Sequence, residues 1–152
     1  MPKTSRAALA NMFRPETMRC NLSAKTRDEA LDDLLRLLAK DAPDLDPSTM
    51  LHDLRARENL APTVVHPGIA VPHLRLEGLP RPLLAVGTSV AGIPFNGAPH
   101  HLVHAIFLIL TPRSDPDAYL QFLAAVAVCQ YQHLYAVVQL VVELSVYVHP
   151  IL

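Results

Sequence analysis

Thr63-Val64-Val65-His66-Pro67-Gly68-Ile69-Ala70-Val71-Pro72-His73 is a loop that runs into a short apolar segment and closes on a histidine. Read at the two-residue period of a strand, Ile69, Val71 and His73 share one side and Ala70 and Pro72 the other. The imidazole therefore continues an apolar face. Pro72 has no amide hydrogen to give to a ladder, so the strand is expected to end there or to lie at a sheet edge, with His73 at a rim that solvent or a partner can reach. Gly68 allows a backbone conformation or a close approach that a side chain would block, and Pro67 stiffens the turn before it. On spacing alone, the better reading of His73 is an ordinary half-buried histidine, one of 8 in the chain.

Upstream of this stretch the pattern is helical. Thr26-Arg27-Asp28-Glu29 is a capping box, in which the Thr26 hydroxyl accepts from the amide three residues on and Glu29 reaches back to the Thr26 amide. Ala30, Leu31, Leu34, Leu35 and Leu38 then recur at helical spacing, with Asp32, Asp33, Arg36 and Lys40 on the other side. Asp46-Pro47 supplies a second cap with proline at the first helical position, opening a helix from about Pro47 to Arg57 that buries Met50, Leu51 and Leu54. Ahead of both helices, Met18 to Leu22 suits a short first strand.

Downstream the period changes. Leu74 to Pro82 reads as a loop, Leu83 to Ser89 as a strand, and Gly92 to Gly97 as a turn region beside an edge segment. Leu102 to Leu110 is almost continuously apolar and suits a central strand buried on both faces. Asp115-Pro116 opens a last helix bearing Leu120, Leu123, Ala124 and Ala127. His100, His101 and His104 cluster in sequence, but in a strand His100 and His104 share a face at a distance while His101 points elsewhere, so strand-edge polar residues are expected there and not a metal site. Helices, then strands, then helix argue for a layered α/β or α+β domain.

At 152 residues the chain has the size of one domain, expected as a loose leader over 1–17 followed by a single unit over 18–152. A formal net charge of −1 with interspersed signs leaves no footprint for nucleic acid or an anionic membrane. Cys20 and Cys129 have neither metal-type spacing nor a disulfide-rich setting, which fits the cytoplasm. The tail from Tyr131 to Leu152 carries one charged residue, Glu143, among valines and leucines. It is open to three readings: a buried last element, an interface for self-association, or an altered end of the sequence.

Arg57-Glu58, Thr63 and Gly68-Ile69-Ala70-Val71-Pro72-His73 together resemble the active-site signature of the fructose/mannitol-type EIIA domains, type 2, of the phosphoenolpyruvate-dependent phosphotransferase system, which include a nitrogen-regulatory branch. The resemblance runs from about Met18 to about Val128. It implies a three-layer α/β/α domain with a mixed central sheet flanked by helices. It also implies a phosphohistidine carrier that takes its phosphoryl group on His73 from an HPr-type protein, without cofactor or metal, and serves sugar uptake or the regulation of a transporter or other target protein. By the same resemblance Arg57 lies beside the phosphoacceptor, with Glu58, Thr63, His66 and Tyr119 as neighbours of the site. Many members have a histidine where this chain has Tyr119, and Val64 and His66 replace residues that are often glycine in sugar-transporting members. A phenol can donate a hydrogen bond to a phosphoryl oxygen but cannot become cationic. These departures favour regulation over sugar transport and leave open a non-catalytic regulatory module that binds an ion transporter or kinase. A hydrolase is poorly supported, since no Gly-x-Ser-x-Gly nucleophile motif is present.

Overall fold

A computed structural model describes residues 12–66, 68–95, 102–118 and 120–122, with only the backbone of Val65 and His66. The chain forms β1 (Met18–Arg19), α1 (Arg27–Asp41), α2 (Pro47–Leu60), β2 (Val64–His66), β3 (Ile69–Ala70), β4 (His73–Leu76), β5 (Leu83–Pro94) and β6 (Leu102–Pro112). Residues 116–118 and 120–122 are helical. The tail from Tyr131 and the cysteine at position 129 lie outside the described residues, as do His100 and His101.

The expected central strand is the axis of the sheet. The strand order is β1-β5-β6-β3-β2, and β4 also pairs with β6. β5 runs antiparallel to β6, whereas β3 and β4 run parallel to it, so the sheet is mixed. Alternate residues of these strands serve two cores. Ala70, Ala85, Ile106, Leu108 and Leu110 face α1 and α2. Ile69, Leu84, Val86, Ala105, Phe107 and Ile109 face the other way, against Phe122, Met12 and Met18. A strand that must be apolar on both sides cannot show alternation, which is why Leu102 to Leu110 reads as one apolar run.

Both helix starts follow their sequence signals. The Glu29 amide donates to Thr26 Oγ1 at 3.2 Å, and the Thr49 amide to an Asp46 carboxylate oxygen at 3.3 Å. The Glu29 carboxylate reaches back one residue further than expected and accepts from the Lys25 amide at 2.9 Å. Leu31, Leu34, Leu35 and Leu38 of α1 are fully buried, each contributing about 1.5–3 kcal/mol through removal from water. α2 continues past Arg57 to Leu60, and the Ala61 amide closes its last turn on the Arg57 carbonyl at 3.0 Å.

Three expectations change. His73 does not end a strand; it begins β4, so the first part of the expected Leu74–Pro82 loop is a strand. The register explains this: Ile69 pairs with Ala105, Ala70 with Ile106, His73 with Ile109 and Leu76 with Pro112, in one unbroken phase along β6. Pro72 only interrupts the assignment, because β6 asks it for an acceptor and its carbonyl takes the Ile109 amide at 3.0 Å. The expected turn at Gly92 is instead the end of a bulge within β5, where residues 89–92 stand opposite the single residue His104. Packing also starts before Met18, since Pro15–Thr17 forms a short 3-10 turn, Thr17 is buried and Met12 joins the second core.

The bulge is closed by the Gly92 amide donating to Ser89 Oγ at 3.1 Å and by His104 Nδ1 donating to the Ser89 carbonyl at 2.8 Å. Gly92 has φ +85°, and a Cβ there would come within 2.8 Å of Leu102 Cβ. Gly92→Ala is therefore expected to destabilise the fold by about 1–3 kcal/mol, through left-handed strain and overpacking together. Urea unfolding would measure this, and an unchanged midpoint would contradict the bulge geometry.

Candidate functional site

The C-terminal end of α2, the loop after it and the start of β4 meet at His73. His73 is largely buried, with 8% of the residue's surface exposed. Its Nδ1 lies 3.1 Å from the Val71 carbonyl oxygen. A carbonyl can only accept, so Nδ1 carries the proton and Nε2 keeps its lone pair. Arg57 extends from the last turns of α2 and brings a guanidinium nitrogen to 3.1 Å from Nε2, donating to that lone pair.

Charge and burial act on the ring together. Burial holds its pKa below the ordinary value of 6.5, and the neighbouring Arg57 and Arg75 guanidinium groups push the same way, while the hydrogen bond to Val71 partly offsets them. The result is a neutral imidazole with a defined tautomer and a nucleophilic Nε2. It faces an open depression of about 680 Å³ lined by Arg57, His73, Leu74, Arg75, Arg113 and Leu120. Among the described residues three guanidinium groups and no carboxylate line this space, a composition that suits a multiply charged oxyanion. Arg113 also reaches Glu77 at 3.7 Å, a solvent-exposed pair that contributes little energy.

Among the site residues expected from sequence, the structure brings Arg57, Glu58, Thr63 and His73 together. Glu58, next to Arg57 on α2, is buried at 3% exposure. Its two carboxylate oxygens accept from Thr63, one from the amide at 3.2 Å and the other from the hydroxyl. Glu58 and Thr63 do not line the arginine-rich depression. His66 is described through its backbone, which pairs with Ile69 in the β2–β3 hairpin around Gly68 at φ +87°. Tyr119 lies outside the described residues. Arg75 and Arg113 were not anticipated. Arg75 follows His73 by two residues, so it shares its side of a strand, a signal hidden by reading that segment as a loop.

A sequence model of the family described as "Phosphoenolpyruvate-dependent sugar phosphotransferase system, EIIA 2" matches residues 11–135. The chain belongs to this family. It is 29% identical over 119 residues to the nitrogen regulatory protein of Pseudomonas aeruginosa, covering 78% of this chain and 77% of that one. The crystal structure of the nitrogen regulatory protein IIA-Ntr from Neisseria meningitidis superposes with a TM-score of 0.73 at 21% identity, over 82% of this chain and 84% of that one. A chain from the complex of enzyme IIAMTL with phosphorylated enzyme IIBMTL of Escherichia coli superposes with a TM-score of 0.61 at 17% identity, over 86% and 97% of the two chains. The expected family and the mixed α/β sheet with flanking helices are both found.

The depressed pKa of His73 fixes a pH dependence. Well above pH 6.5 the ring is neutral in folded and unfolded chains and adds no slope. As pH falls below that value the unfolded chain takes up the proton first, so stability is lost progressively until the folded pKa is passed. Wild-type stability should thus decline with acidification in this window more steeply than that of His73→Gln. In an NMR titration His73 should ionise below pH 6.5 in the wild type and at higher pH in Arg57→Gln. An unchanged midpoint in Arg57→Gln would contradict the electrostatic contact.

Proposed function

We propose that the chain is a phosphocarrier, in which His73 Nε2 accepts a phosphoryl group from the phosphohistidine of an HPr-type protein. The observation that carries this reading is the neutral imidazole, with Nδ1 tied to the Val71 carbonyl and Nε2 turned toward Arg57 in an arginine-lined depression. The Nε2 lone pair attacks the donor's phosphorus. An Nε2–P bond forms while the donor's N–P bond breaks, its electrons returning to the donor imidazole. Nδ1 keeps its proton, and the Val71 carbonyl stabilises the positive charge that develops on the ring. Arg57 must leave the lone pair as the bond forms, and its N–H groups then serve the phosphoryl oxygens. Transfer of this kind depends on positioning and charge stabilisation, so the reading requires neither metal nor organic cofactor.

Two further elements belong to the reading. The donor phosphate derives from phosphoenolpyruvate, which puts the protein in the cytoplasm; no described helix is long and apolar enough to cross a membrane. The output is regulatory, acting on a transporter or other target protein, in line with the similarity to nitrogen regulatory proteins. A non-catalytic regulatory module is the second reading. It is favoured by Tyr119 at the position where many family members have a second histidine.

Incubation with phosphoenolpyruvate, enzyme I and HPr, followed by intact-mass analysis, separates the two. The carrier reading expects one acid-labile phosphoryl group on the wild type and none on His73→Ala. Arg57→Ala should slow transfer on the order of 10²-fold, the usual loss for one charge-stabilising donor. A folded wild-type protein that gains no phosphoryl group from active donors would leave the regulatory module as the function.

A further inference from the structure

The geometry points to Glu58 and Thr63 as positioning residues that set the tautomer of His73 through the backbone. Four linked contacts carry this. The buried Glu58 carboxylate accepts from both the amide and the hydroxyl of Thr63. The Thr63 carbonyl accepts the Val71 amide at 2.9 Å. The Val71 carbonyl then accepts Nδ1–H of His73 at 3.1 Å. Between these residues the Pro72 carbonyl is anchored on the Ile109 amide at 3.0 Å, so the Val71–His73 segment is held on both sides.

A carboxylate this deeply buried is costly unless strong donors meet it. Among the described residues no ion pair involves Glu58, and Thr63 supplies the donors. Loop and helix end are thereby fastened together, and the loop cannot shift without uncovering the charge. Val71 is outside the strands, and its amide bonds to Thr63 and not to β6. The direction of its carbonyl is therefore decided by the loop, and that carbonyl is what requires the proton to sit on Nδ1. Adjacent residues of one helix thus hold the two ring nitrogens: Arg57 meets Nε2 directly, and Glu58 governs Nδ1 through Thr63 and Val71.

The consequence for phosphotransfer rests on the carrier reading above, whereas the consequence for the tautomer does not. Nitrogen NMR of the imidazole in isotope-labelled wild type, Thr63→Val, Thr63→Ser and Glu58→Gln tests both, combined with initial rates of phosphorylation by the HPr system. The wild-type ring is expected to carry its proton on Nδ1. Thr63→Val should raise the ratio of the Nε2–H to the Nδ1–H tautomer by about tenfold, as for the loss of one net hydrogen bond, and lower the initial phosphorylation rate in proportion to the Nδ1–H fraction that is lost. Thr63→Ser, which keeps the hydroxyl, should restore both. A wild-type ring protonated on Nε2 would overturn the proposal without any variant, as would a folded Thr63→Val protein with the wild-type tautomer. If Thr63→Val does not fold, Glu58→Gln decides by the same two criteria. A tautomer that responds to Thr63 in a protein accepting no phosphoryl group would uphold the relay and remove the carrier reading.

Discussion

The pairing of residues 69–70 and 73–76 along β6 in a single register is the constraint on which the site depends. It carries the chain through Pro72 without a change of phase, so Ile69 and Val71 stay in the second core while His73 lands beside Ile109. A slip of one residue would exchange the two faces and remove the imidazole from Arg57. β6 can fix this register because it is apolar on both faces and has partners on both edges, which leaves it no lower-energy alternative.

Against this fixed edge, α2 is placed by its own packing. Met50 and Leu54 sit in the same core as α1, and that seating brings its C-terminal turns to the rim of the sheet. The helix end then contributes two neighbouring charges with different tasks. Arg57 is exposed and reaches the ring, whereas Glu58 is buried and fastens the loop. Rigid elements thus hold a short loop whose carbonyl controls a proton. Burial and two guanidinium groups hold the ring neutral, while the Val71 carbonyl selects its tautomer.

Much of this was legible in the sequence. The caps at Thr26 and Asp46, the leucine stripe of α1 and the apolar run of β6 each carry a local signal that tertiary structure has no reason to override. The resemblance drew Arg57, Glu58, Thr63 and His73 together from separate segments, and the fold brings these four residues to one end of α2 and the start of β4. What escaped was long-range. That Pro72 would meet an acceptor-requiring position on β6, and that the chain would continue as β4, depends on residues more than thirty positions away. The bulge opposite His104 hid in the same way, because Gly92 signals a turn equally well whether the strand ends or resumes. Arg75 was lost with the β4 reading, and Arg113 sits just past the end of β6, where only the folded sheet reveals that both line the same depression.

In the proposed carrier function Nε2 of His73 is the phosphoryl acceptor, with the proton retained on Nδ1. Phosphorus–nitrogen coupling in the NMR spectrum of the phosphorylated, isotope-labelled protein tests it most directly. The expected result is a coupling from phosphorus to Nε2 of His73. Coupling to Nδ1, or to a nitrogen of another histidine, would contradict it.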